Sequence, residues 1–157
     1  MRVPSSRVLV GVVALAVAGA VLALWPRREP TPRELLERKV VQMTRAAEEK
    51  DLGEVMEHVS ERFKSAEGLD KQGLRGILAG QLLRGGWVRV FVTDLAIAVT
   101  SDRHAALDAT FIFARSDAKT LQELAKESVL SRYRVQSKVE KETDGQWRFV
   151  SARYQRQ

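Results

Sequence analysis

The chain has 157 residues, 45% of them hydrophobic, and carries 26 Lys and Arg against 20 Asp and Glu, a formal charge of +6. It holds no cysteine, which excludes disulfides, thiol nucleophiles, Cys-ligated zinc and a lipid-anchored Cys. Its basic residues are mixed with acidic ones and not interleaved with aromatics, so they read as a solvated surface and nucleic acid is not an expected partner.

The first element is an apolar run. Val8 to Trp25 is eighteen residues without a charge, about 27 Å as a helix and enough to cross a hydrocarbon core. Arg2 and Arg7 precede it; Pro26, Arg27 and Arg28 follow. Ala18-Gly19-Ala20 would serve as a signal cleavage site, with Val21-Leu22-Ala23 a weaker one. The run continues past both to Trp25, an interface-type residue, so an uncleaved anchor is the favoured reading. Counting Arg27, Arg28, Arg33, Arg38 and Lys39 against Arg2, Arg7 and the amino terminus would by itself keep the domain cytoplasmic. A short basic start ahead of an apolar stretch is nevertheless the shape of an export signal. The expected location is therefore a single-pass membrane protein with an extracytoplasmic domain, secreted if the segment is cleaved. Residues 1–29 are expected to be anchor and linker, and 30–157 one domain.

Thr31-Pro32-Arg33-Glu34 reads as a capping box, and Leu36, Val40, Met43 and Ala47 then recur at helical spacing. Asp51, with Glu54 at the reciprocal position, opens a second helix whose stripe is Leu52, Val55, Met56, Val59 and Phe63. Gly68-Leu69-Asp70 breaks it. Asp70 caps a third helix carrying Leu74, Ile77, Leu78, Leu82 and Leu83, which Gly85-Gly86 ends. Gly73, Gly76 and Gly80 inside that helix predict a face where another backbone packs closely.

From Trp87 the period becomes two: Val88, Val90 and Val92, then Leu95, Ile97 and Val99. After Ser101-Asp102, Ala105, Leu107, Ala109, Phe111 and Phe113 share one strand face; His104, Asp108, Thr110 and Ile112 share the other. Residues 116–128 read as a loop with a short helical piece over 121–125. Tyr133, Val135, Ser137 and Val139 alternate with Arg132, Arg134, Gln136 and Lys138. Asp144-Gly145 marks a hairpin turn, and Trp147 to Tyr154 is the last strand. The fold class is α+β: an N-terminal transmembrane helix, then three helices packed on a strongly curved antiparallel sheet.

One segment order carries a resemblance. Asp51-Leu52-Gly53-Glu54-Val55 leads into Ser60-Glu61-Arg62-Phe63, and the sheet closes on Asp144-Gly145-Gln146-Trp147-Arg148-Phe149-Val150-Ser151. This resembles the nuclear transport factor 2-like superfamily, also called the cystatin-like α+β cone, over roughly residues 33–154. The resemblance implies a bent sheet wrapped round the long first helix, a cone-shaped pocket and frequent dimerisation. The superfamily holds isomerases, polyketide cyclases, dehydratases, ligand-binding modules and accessory domains of secretion machinery, so the fold does not choose among them.

The superfamily's enzymes place an Asp or His base in the pocket with a Tyr or acid as oxyanion donor. The residues nearest to such a set are Asp108, His104 and Tyr133. Asp108 and His104 share a strand face, and a carboxyl in an apolar pocket has its pKa raised toward general-base use. His104 adjoins the turn Ser101-Asp102-Arg103, where side chains are solvated, so a surface role is favoured over a catalytic pair. His58, flanked by Glu54, Glu57 and Glu61, reads as a polar-face residue; no metal and no cofactor are expected. Arg132, Arg134, Lys138 and Arg148 would make a basic sheet face, read as wet surface in preference to a contact for an anionic partner or lipid headgroups. Trp87, Phe91, Phe111, Phe113, Trp147 and Phe149 are expected in the core, a dimer seam or the cone wall. The expected function is a membrane-tethered, non-catalytic binding or assembly domain, with a second copy or another protein as partner. The alternatives are a cone that captures a small apolar ligand and, third, a pocket enzyme of the isomerase or cyclase type.

Overall fold

The structure is a computed structural model that describes residues 28–83, 89–114, 119–124 and 129–157. The apolar run with Val8 and Trp25, the Gly85-Gly86 pair and Trp87 lie outside the described residues. Among the described residues no helix is long and apolar enough to cross a membrane.

Helix α1, Pro32–Glu48, starts at the predicted capping box: the Thr31 side chain accepts from the Glu34 N–H while the Glu34 carboxylate accepts from the Thr31 N–H. It buries Leu36, Val40, Ala46 and Ala47. Helix α2, Leu52–Glu57, is capped by Asp51. It is shorter than its apolar stripe implies, because strand β1, Val59–Ser65, takes over after His58. Val59 and Phe63 suit either a helix stripe or an irregular strand; the partner decides. The edge of the last strand needs hydrogen bonds, and the Phe149 N–H donates to the His58 carbonyl at 2.9 Å. The Ser60 hydroxyl also competes with a helix, accepting from the Arg62 N–H and donating to Glu142.

Helix α3, Lys71–Leu82, is capped by Asp70. Its glycines do not form a close-packing face among the described residues: a methyl group at Gly76 or Gly80 would meet none of these within 4 Å, and one at Gly73 would meet Leu69 of the preceding turn. Strands β2, Arg89–Ser101, and β3, His104–Ala114, pair antiparallel, and the short helix α4 spans Leu121–Leu124. Strands β4, Val129–Lys141, and β5, Trp147–Arg156, complete a five-stranded sheet in the order β1-β5-β4-β3-β2. The sheet is mixed, not antiparallel throughout, because β1 runs parallel to β5.

Two bulges bend this sheet. In β2 the register shifts between Thr93 and Ala96, with Asp94 at φ 55°, so the inner face passes from Val90 and Val92 to Leu95 and Ile97. In β5 it shifts between Phe149 and Ser151, so the inner face passes from Trp147 and Phe149 to Ala152 and Tyr154. The core lies between that face and the helices. Leu36 and Val40 of α1 pack with Ala105, Leu107 and Ala109 of β3, Val139 of β4, and Trp147 and Phe149 of β5. Ala105 and Ala109 are the small residues of that cluster, and Leu36 beside them is 0% exposed. A second group, Met56, Val59 and Phe63, packs with Leu74 and Leu78 of α3.

Candidate functional site: an apolar cavity inside the cone

Between the helices and the bent sheet lies a cavity of about 260 Å³. The sheet supplies Leu107, Phe111 and Phe113 from β3, Tyr133, Val135 and Ser137 from β4, and Phe149, Ala152 and Tyr154 from β5. The helices supply Val40, Met43 and Thr44 from α1 and Leu74, Ile77, Leu78 and Gln81 from α3. The polar atoms of this wall belong to Thr44, Gln81, Ser137 and the two tyrosines; every other lining side chain is hydrocarbon or thioether. Ile77 and Tyr154, 44% and 37% exposed, with the exposed Gln81, mark where the cavity opens. Tyr133 stacks edge-on against both Phe113 and Tyr154, at ring-centroid distances of 6.1 and 6.3 Å, which fixes the aromatic end of the wall.

The three residues nearest to an enzyme set are not brought together. Tyr133 lines the cavity. Asp108 lies between Leu107 and Ala109, which face the core, and so points to the other side of the sheet. There Arg134 donates to both of its oxygens, at 3.0 and 3.1 Å, and Gln136 donates at 3.0 Å. These hydrogen bonds hold the Asp108 carboxyl below its ordinary range, opposite to the raised pKa a pocket base requires. His104 is exposed at the β2–β3 turn, with Nδ1 2.9 Å from the Ser101 hydroxyl. Of the aromatic set, Phe111, Phe113 and Phe149 line the cavity. Trp147 is buried at 3% exposure in the α1 core cluster, and Phe91 packs on the opposite sheet face with Ile112 and Ala114. Met43, Ile77 and Tyr154 are cavity residues that sequence reasoning treated only as helix stripe or strand end, and Thr44 and Gln81 are cavity residues it did not single out.

A second, polar cleft of about 680 Å³ has Lys39, His58, Glu142 and Arg148 in its wall. Lys39 Nζ stands 2.9 Å from His58 Nδ1; since an ammonium has no lone pair, Lys39 donates and the neutral ring carries its proton on Nε2. That Nε2 is buried without a protein partner among the described residues. Burial, then the charges of Lys39 and Arg148, push the His58 pKa down to about 4. Arg148 is committed elsewhere, donating to Glu142 at 2.6 Å and contacting Asp144 at 2.7 Å. Among the described residues no group of three His, Asp or Glu side chains is placed to hold a metal ion. The basic sheet face is divided: Arg134 is tied to Asp108 and Arg148 to Glu142, while Arg132 and Lys138 are exposed.

A long capped helix wrapped by a bulged sheet around an apolar interior defines an α+β cone with a ligand-sized hollow. Comparison with solved structures assigns the same class: the described domain has the nuclear transport factor 2-like, or cystatin-like, fold. A scytalone dehydratase-like protein from Novosphingobium aromaticivorans aligns with a TM-score of 0.62 at 13% identity, covering 78% of this chain and 82% of that one. A nuclear transport factor 2-like protein of unknown function from Pseudomonas putida aligns at 0.60 and 10% identity, covering 76% and 82%. Bd1075 from Bdellovibrio bacteriovorus aligns at 0.60 and 15% identity; the match covers 78% of this chain and only 39% of Bd1075. No protein-family profile matches the chain. No curated protein matches it in sequence.

Proposed function

We propose that this domain is a binding module that captures a small apolar molecule in its cone. The observation that carries this reading is the 260 Å³ cavity with a wall of aliphatic and aromatic side chains. An apolar cavity of about 150 Å³ holds benzene, so in proportion this one takes about ten heavy atoms, a fused pair of rings or a short branched chain. The driving force is removal of apolar ligand surface from water, and Thr44, Gln81, Ser137 and the tyrosines supply orientation. The bent sheet preforms the hollow, so little ordering is required on binding. Among proteins of this fold, the scytalone dehydratase-like neighbour is named for action on a small organic molecule, which is in keeping with such a hollow. The Val8–Trp25 run adds a membrane tether to this reading, with the module on the outer side.

Titration of the protein with 1-naphthol, followed by calorimetry, tests the reading. At about 0.5–0.7 kcal/mol for each of the roughly eleven heavy atoms of 1-naphthol, the expected Kd lies between about 2 µM and 0.1 mM. Val135→Phe fills the centre of the wall and should weaken binding at least about tenfold while circular dichroism stays native. Absence of saturable binding, or equal affinity in a folded Val135→Phe variant, would contradict it.

A further inference from the structure

The cavity wall changes character along β4 and β5. Three directly opposed pairs follow one another at alternate positions, on one strand face: Ser137 with Ala152, Val135 with Tyr154, and Tyr133 with Arg156. Opposed residues on one face of a strand pair hold their Cβ atoms about 4.5–5.5 Å apart, so Arg156 flanks Tyr133 at the edge of the cavity. That end of β5 is tied down, because the Gln157 N–H donates to the Arg132 carbonyl at 2.9 Å. Along this strand pair the side chains therefore pass from aliphatic wall, through two phenols, to a guanidinium just beyond the lining residues.

These three polar groups are uncommitted. Tyr133 and Tyr154 make ring contacts with each other, and neither hydroxyl has a hydrogen-bond partner among the described residues. The Arg156 side chain is exposed and has no ion pair among the described residues. By contrast Arg134 and Arg148 are each engaged by a carboxylate. Two O–H donors and a planar fork of N–H donors at the rim of an apolar hollow match one flat, singly charged acceptor.

Building on the ligand-binding reading above, we infer that the cone's ligand is an amphipathic monocarboxylate. Its apolar body of about ten heavy atoms fills the hollow, and its carboxylate sits at the rim against Tyr133, Tyr154 and Arg156. A single guanidinium balances one negative charge, which favours a carboxylate over a dianionic phosphate. The charged head keeps contact with water at the opening beside Tyr154, so no ion is buried.

Two probes of one shape separate this inference from the reading beneath it: naphthalene-2-carboxylate and its uncharged amide, 2-naphthamide, titrated at neutral pH. The acid should bind at least about tenfold tighter than the amide to the wild-type protein. Arg156→Gln should weaken binding of the acid at least about tenfold and abolish that preference, while native circular dichroism shows that the variant folds. Equal binding of acid and amide, or a preference that survives in Arg156→Gln, would overturn the carboxylate assignment while the apolar cavity stands. Binding of neither probe would remove the ligand-binding reading and this inference together.

Discussion

His58 is the residue whose environment departs furthest from what its neighbours in the chain suggest. Between two glutamate-rich turns it reads as a polar-face side chain, yet it sits half-buried against Lys39, nineteen positions away. In the folded protein it stays neutral down to about pH 4, whereas an ordinary His has a pKa of 6.5. The unfolded chain therefore binds a proton in this interval that the folded chain does not, and stability falls as pH drops from about 6.5 toward 4. Allowing for solvent at this half-buried group, the loss between pH 7 and pH 5 is about 1 kcal/mol. Glu142 and Asp144, held below their ordinary range by hydrogen bonds, contribute above the usual carboxylate pKa and lose that contribution only at more acid pH. Urea melts of wild type and His58→Gln across this range should show a slope that the variant lacks; parallel profiles would contradict the assignment. At the same scale, alternation along β3 correctly separated Asp108 from the apolar face. What the sequence could not supply was its partners, because Arg134 and Gln136 meet Asp108 only through the β3–β4 register.

At the scale of elements, signals that are local were legible and those that depend on a distant edge were not. The capping box at Thr31, the caps at Asp51 and Asp70, and the Asp144-Gly145 turn lie where local chemistry puts them. The change from even-numbered valines to Leu95, Ile97 and Val99 was a visible trace of the β2 bulge, since one extra residue moves the inner face by one position. Strand β1 was missed because Val59 and Phe63 satisfy helical spacing as well. Its choice is made by the unpaired edge of β5, more than eighty residues away in sequence. The glycines of α3 misled for a related reason: small residues suggest close approach, but among the described residues nothing packs on Gly76 or Gly80. Gly76→Ala and Gly80→Ala should therefore each stabilise the domain by about 0.5–1 kcal/mol, through helix propensity and a less disordered unfolded chain. Chemical denaturation measures this directly. Destabilisation by either change would mean that α3 packs against a surface at those positions.

For the whole molecule, the sequence carried the order of helices and strands apart from β1, and most of the sheet side of the cavity, because strand alternation names one face. Periodicity and spacing did not carry the hollow itself, which was expected only through the family resemblance. Whether Phe111, Val135 and Leu78 meet in a filled core or around an empty centre depends on how far the two bulges bend the sheet from the helices, and no residue states that distance. The resulting account is a cone closed by core packing at the Trp147 end, where Leu36 and Val40 fill the space. It is open near Ile77, Gln81 and Tyr154, where the proposed apolar guest would enter. The most direct test locates that guest by intermolecular NOEs between 1-naphthol and the methyl groups of the protein. Contacts to Val40, Leu107 and Val135 inside the cone are the predicted result. Contacts confined to surface methyls such as Val99 on the far part of β2, or none at saturating probe, would contradict it.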